Sequence, residues 1–217
     1  MTAHPPVSAL PHYFETPLDQ ALFASAETLI QPPSGTQLPE LATGRIRYVL
    51  AANGLFIQAR TSTIEASVKI APLPDDLPYG RANEDVRLIH GDIPEAIWME
   101  LKHRAVAACP QEWSAYVLCT DKGYQILEPD VHNRSAGHIS YTPLAESRRE
   151  SLLMHVHSHG LGEAYFSAQD DAADRGSGDG VYLAVVLGRC QDIKTATVAQ
   201  RLVVWRWLIK ELLYNSY

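Results

Sequence analysis

The alternation of apolar and polar positions changes character near residue 88. Upstream, GRIRYVLAANGLFIQARTSTIEASVKIAP (44–72) is rich in β-branched and aromatic residues, which predicts strands. Asn53-Gly54 between two such runs predicts a hairpin turn. The alternating TIEASVKIA predicts a third strand. Ahead of it, LDQALFASAETLI (18–30) predicts one short helix inside a stretch of prolines and small polar residues. APLPDDLPYG (71–80) is a proline-punctuated connector. The pattern sets a small β-rich unit over residues 1–88 apart from a second domain over 89–217.

That second domain mixes both periods. Ile93, Ile97, Leu101 and Ala105 recur every four residues and predict a helix over 93–109. Asp92 with Glu95 three residues on has a capping-box spacing, and Pro110 marks the end region. WSAYVLCT and YQILEP predict strands around a turn at DKG, and TPLAESRRES a short helix. LLMHVHSH predicts a strand, SAQDDAADRG a helix, and VYLAVVLG a buried strand. The final VAQRLVVWRWLIKELL predicts a closing amphipathic helix, whose stripe packs internally in the usual case or on a partner. Without a regular βαβ repeat, the class is mixed α/β of the α+β kind.

Composition narrows the function. Apolar residues make up 46% and charged residues 20% of 217 positions, ordinary globular values. The net charge of −7, with no basic cluster, argues against a nucleic-acid partner. No apolar run approaches the roughly 20 residues of a membrane span. The opening MTAHPPVSALPHYF lacks a basic segment followed by an apolar core, so no secretory signal is expected. Cys109, Cys119 and Cys190 are odd in number and form no CxxC, which fits a cytoplasmic protein without a disulfide framework.

Chemistry concentrates in HVHSHGLGEAYFSAQDD (155–171). In a strand, residues two apart share a face, so His157 and His159 present two imidazoles to one point. Two neutral imidazoles and a carboxylate form a common catalytic zinc set. Asp170 and Asp171, in the first turn of the next helix, are both candidate carboxylates. Ser167 with Asp170 also has the spacing of a capping box.

The string His157-Ser158-His159, seven residues, Ser167, two residues, Asp170 resembles the JAMM motif H-S-H-x7-S-x-x-D of the JAB/MPN metalloprotease family. That motif also has an upstream glutamate between a helix and a strand, and Glu112 stands there. The resemblance covers about residues 90–217. It implies a JAMM/MPN, cytidine-deaminase-like core and a Zn2+ ion held by His157, His159 and Asp170, leaving out His155 and Asp171. It implies that zinc brings its water toward a pKa of about 7, with Glu112 as general base and then acid, and Ser167 as oxyanion donor. His155 is expected as a hydrogen-bonded neighbour and Glu163 as a solvated charge. There are departures: Gly160 stands where the family usually has proline, and Trp113, Ser114 and Ala115 follow the glutamate. The Gly160-Leu161-Gly162 run points to a mobile loop.

The family cleaves peptide or isopeptide bonds after ubiquitin or ubiquitin-like proteins. The expected partners are therefore a ubiquitin-like protein and an E1-like activating enzyme of a bacterial system. A JAB domain behind an added β-rich unit is similar in architecture to the plasmid-associated PRTRC system protein A group. The N-terminal unit, with His4 and His12 among its prolines, shows no catalytic constellation and is expected to hold substrate or a partner. Two alternatives stand beside the peptidase: a non-catalytic MPN-like scaffold and a zinc hydrolase of a small amide.

Overall fold

A computed structural model describes residues 26–33, 37–73, 77–176, 180–205 and 207–209. Its architecture is mixed α/β, rich in sheet and poor in helix. Strands β1 (Glu27–Ile30), β2 (Arg45–Ala51), β3 (Gly54–Arg60), β4 (Ile64–Ala71) and β5 (Asp85–Leu88) form one five-stranded sheet in sequence order. The alternation in β4, buried at Ile64, Ala66 and Val68, is the period-2 pattern of a sheet with one covered face.

The hairpin forms, but its turn lies one residue earlier than Asn53-Gly54. Ala51 pairs with Gly54, so Ala52 and Asn53 make the loop. Asn53 instead acts as a side-chain peptide group: its amide donates to the Ala82 carbonyl at 2.8 Å and its oxygen accepts from Ala82 N–H at 3.0 Å. The helix expected over 18–30 is also corrected where it can be seen. Glu27–Ile30 is a strand, parallel to β2, and the rest of that stretch lies outside the described residues, as do His4 and His12.

Helix α1 (Glu95–Ala108) follows. Leu101 and Ala105 are buried, and Ile93 and Ile97 pack against the same core. Burying a leucine of this kind contributes about 1.5–3 kcal/mol. The capping box does not form. Pro94 is the N-cap, without a side-chain cap hydrogen bond; proline is favoured at helix starts because its missing N–H is one that the helix leaves unpaired.

The second sheet runs β13-β12-β11-β10-β6-β7. Its strands are β6 (Ser114–Thr120), β7 (Gly123–Leu127), β10 (Leu152–Ser158), β11 (Val181–Gly188), β12 (Thr197–Val204) and β13 (Trp207–Ile209). A two-stranded ribbon, β8 (Val131–Ser135) with β9 (His138–Tyr141), and the short helix α2 (Glu146–Arg149) lie between β7 and β10. Helix α3 (Ala168–Gly176) connects β10 to β11, which run parallel. All eight residues of β11 are buried, as its unbroken apolar sequence requires.

The closing helix is wrong over the described residues. Val198–Val204 belongs to β12, which pairs with β11 over its full length, and Trp207–Ile209 returns as β13. The run is rich in valine, whose branched side chain suits a pleated surface. A left-handed Trp205 (φ 55°) turns the chain between the strands. Residues 210–217 lie outside the described set. One core cluster joins the two sheets: Ile57, Ile64 and Val68 pack with Leu101, Val117, Val156 and Val185. Among the described residues, no helix is long and apolar enough to cross a membrane.

Candidate metal centre

The centre forms where the outer end of β10 meets the first turn of α3. Strand parity puts His155, His157 and His159 on one face, opposite the core face of Val156 and Ser158. Ser158 is fully buried. Its N–H donates to the Trp113 carbonyl at 2.8 Å, and its hydroxyl accepts from Trp113 N–H at 3.0 Å. This pair of bonds locks the end of β10 to the start of β6. His157 is then opposite Ser114, and Glu112, two residues before Ser114, comes close enough to His159 to feel its charge. Glu112 is held from its other side by its own N–H, which donates to Ser135 of the β8–β9 ribbon at 2.9 Å.

Among the described residues, the ligand atoms of His157, His159 and Asp170 all lie within 4.8 Å of one another. The two imidazole Nε2 atoms are 3.2 Å apart, and His157 Nε2 is 3.3 Å from Asp170 Oδ1. A tetrahedral ion with bonds of about 2.0–2.1 Å spaces its ligand atoms by about 3.3 Å, so the donor set fits zinc. The protonation also fits. His159 Nδ1 lies 3.0 Å from the Glu163 carbonyl; a carbonyl only accepts, so Nδ1 carries the proton and Nε2 offers its lone pair. Burial pushes the His157 imidazole down to about 4, against the pull of Asp170, and keeps it neutral.

The capping box that fails at α1 forms at α3. Asp170 Oδ2 accepts from both Ser167 N–H and Ser167 Oγ–H at 2.7 Å, and Ser167 Oγ accepts from Asp170 N–H at 3.2 Å. The carboxylate is therefore divided: Oδ2 belongs to the cap and Oδ1 faces His157. Asp171, the other candidate, is engaged elsewhere. It pairs with Arg201, which also bonds Asp174 Oδ2 through Nε at 3.0 Å and through its terminal nitrogen at 2.5 Å. Tyr182 donates to Asp174 Oδ1 at 2.8 Å, and the Arg201 guanidinium sits 3.9 Å from the Phe166 ring centroid. This network pins α3 to β11 and β12 behind Asp170.

His155 faces the same way as His157 but is claimed by aromatic neighbours. Its Nε2 is 2.7 Å from Tyr141 Oη and its ring stacks on Tyr116 at 4.9 Å. Burial pushes its imidazole below the usual range and pushes the Tyr141 phenol up to about 12. Glu112 is half-buried. Burial, its largest influence, raises its carboxyl above the ordinary carboxylate range, while His159 pulls it down and Asp170 adds to the rise.

The loop after the ligands is not loose. Cys190 N–H donates to the Gly160 carbonyl at 2.8 Å and Arg189 N–H to the Gly162 carbonyl at 2.7 Å. Glu163, expected as a solvated charge, is exposed but ion-paired with Arg189 at 2.5 Å. Gly160 has φ +54°, and a Cβ there would fall 2.3 Å from the Pro110 carbonyl oxygen. Proline, locked near −65°, cannot take that conformation. A Cβ on Gly188 would fall 2.1 Å from Ala164 N, so glycine there lets the loop lie on the end of β11.

Three features escaped sequence reading. The β8–β9 ribbon consists of short, largely exposed strands with weak alternation. Ser158 stands between two candidate ligands, and only its strand parity marks it as aimed at the core. Arg201 falls inside the expected closing helix, and an arginine beside apolar residues in QRLVV is its only signal.

A cavity of about 710 Å³ opens over the centre, bounded by Glu112, His138 and the three candidate ligands and reaching inward to His155 and Ala184. Among curated proteins, none matches the chain significantly. Two family models do. One, a domain of unknown function (DUF2016), matches residues 16–89. The other describes prokaryotic homologs of the JAB domain and matches residues 94–204, just over half of the chain and the whole span that builds the centre. The chain belongs to the prokaryotic homologs of the JAB domain.

Proposed function

We propose that the protein is a zinc-dependent peptidase or isopeptidase that cuts after the C-terminal tail of a ubiquitin-like protein. The observation that carries this reading is the convergence of His157, His159 and Asp170 within 4.8 Å, with Glu112 on the wall of the same cavity. Zinc held by these three would supply a Lewis acid and make water a nucleophile near neutral pH.

The chain's residues do the rest. Glu112, its basicity raised by burial, takes the proton of the attacking water and hands it to the leaving amine. Two backbone attachments, one at Ser135 and one through Trp113 and Ser158, keep it in place for both transfers. Ser167 keeps its acceptor bond from Asp170 N–H and turns its hydroxyl proton from Asp170 Oδ2 toward the oxyanion of the tetrahedral intermediate. Tyr165 lines the same cavity and stands edge-on to the His159 ring, with ring centroids 4.8 Å apart. The N-terminal sheet, as a domain over residues 1–88, holds the body of the substrate or an E1-like partner, in a cytoplasm that keeps the three cysteines free.

The test uses zinc-loaded protein and a ubiquitin-like protein fused through its tail to a fluorescent reporter. Cleavage by the wild type, lost on chelation and in Glu112→Gln while that variant still holds zinc, is the expected result. Equal cleavage by Glu112→Gln would overturn the role of Glu112. A zinc-loaded protein that binds such partners but cuts none would be a scaffold.

A further inference from the structure

The two candidate histidine ligands are held by different means. His157 belongs to β10, with Ser114 of β6 on one side and Val186 of β11 on the other. His159 lies just past the last residue of β10, Ser158. Its N–H donates to the Leu187 carbonyl at 2.9 Å, and its Nδ1–H to the Glu163 carbonyl at 3.0 Å. The first bond fixes the backbone and the second fixes the ring. The last torsion of a histidine side chain has only broad, two-fold preferences, so without a partner either ring nitrogen could face Asp170. With Nδ1–H turned to the carbonyl, Nε2 is the atom that meets His157 Nε2 at 3.2 Å with a lone pair to offer.

The Glu163 carbonyl is in turn set by the end of β11. Arg189 N–H donates to the Gly162 carbonyl at 2.7 Å and Cys190 N–H to the Gly160 carbonyl at 2.8 Å. Between these bonds the Glu163–Ala164 peptide lies directly on Gly188. A Cβ on Gly188 would fall 2.1 Å from Ala164 N, 2.4 Å from the Glu163 carbonyl carbon and 2.8 Å from Ala164 Cα. All three are backbone atoms, so no side chain can swing aside. The carbon at 2.4 Å carries the oxygen that holds His159. The φ of Gly188 is outside the left-handed region, so its backbone angles do not demand glycine; the close approach of this peptide does. The Glu163–Arg189 ion pair clasps the same loop from outside, but both side chains are more than half exposed, and exposed pairs hold weakly.

We infer that Gly188 is a positioning residue for the metal centre: its missing side chain lets the Glu163–Ala164 peptide rest on the end of β11, where the Glu163 carbonyl holds the His159 ring with Nε2 toward the other ligands. The inference rests on the metal reading of the proposed function. A side chain at 188 pushes that peptide away by roughly 1 Å, enough to take a 3.0 Å contact out of hydrogen-bond range. The His159 ring then loses its fixed tautomer and orientation, while His157, paired on both sides within the sheet, keeps its place.

Two variants of the full-length protein disturb this contact from its two sides. Gly188→Ala adds the methyl group. Ala164→Pro puts a ring on the opposing nitrogen, in a loop outside helix and strand where proline breaks no ladder, and it stays informative if Gly188→Ala fails to fold. In the first measurement, zinc affinity is read by titration against a competing chromophoric chelator. Each variant is expected to bind zinc about 10–100-fold more weakly than the wild type. In the second, nitrogen-15 NMR of the zinc-free protein at about pH 8, above the ordinary histidine pKa, reports the ring tautomers. The wild type is expected to carry the His159 proton on Nδ1, and the variants to show a mixture. That change supports the positioning role even if the wild type takes up no zinc, in which case the metal reading alone fails. Zinc affinity unchanged in both variants, whatever their loss of stability, would overturn the inference, as would a wild-type His159 protonated on Nε2.

Discussion

His155 and His157 stand two residues apart on one strand, face the same way and both have imidazoles pushed below the usual range by burial. Their surroundings differ. His157 meets His159 Nε2 at 3.2 Å and Asp170 Oδ1 at 3.3 Å. His155 meets Tyr141 at 2.7 Å and lies flat on Tyr116. A phenol that already bonds to the ring nitrogen, and a stacked ring that fixes its plane, leave His155 no lone pair aimed at a shared point. What singles out a histidine as a candidate ligand here is therefore not its exposure or its strand face but which other donors converge with it.

The strongest way to break the comparison is to remove one of the converging donors. His159→Ala should take the zinc content from about one per chain to near zero and abolish hydrolysis, measured by elemental analysis of the folded protein and by the reporter assay. Removing the residue beside the metal is a lesser insult: Glu112→Gln should keep the zinc and lower kcat by about 10²–10⁴. A drop in zinc content along with the rate would place Glu112 among the ligands instead.

Behind Asp170, Arg201→Met leaves Asp174 buried without its cation. The expected destabilisation is about 3–5 kcal/mol by denaturant titration. Weaker zinc binding, by about 10–100-fold in a competition titration, should accompany it if the network positions Asp170; an unchanged affinity would confine Arg201 to stability. Ser167→Ala should cost about 1 kcal/mol through the lost cap and, if its proton reaches the oxyanion, lower kcat by about 10²–10³. A stability loss with kcat intact would leave Ser167 as a cap alone.

The two ends of this site were unequally legible. Ser167 and Asp170 have a capping-box spacing, and so do Asp92 and Glu95, but only the first pair closes. At α1 the proline at position 94 becomes the N-cap and moves the helix start past Asp92. Spacing is a local signal, and one intervening residue settled it. Strand parity placed the three histidines correctly, because a β10 edged by core residues has a single way to face. The final segment was misread for the opposite reason. Its apolar residues fit both periods, and eight residues of pairing with β11, which no local pattern shows, decided for a strand. Arg201 went with that error, since its partners Asp171 and Asp174 lie on an element 27 to 30 residues away.

The central claim, that His157 and His159 hold a metal and His155 does not, is tested most directly by the zinc content of two variants purified side by side. The account predicts no zinc in His157→Ala and one zinc per chain in His155→Gln. Zinc retained by His157→Ala, or lost from a folded His155→Gln, would contradict it.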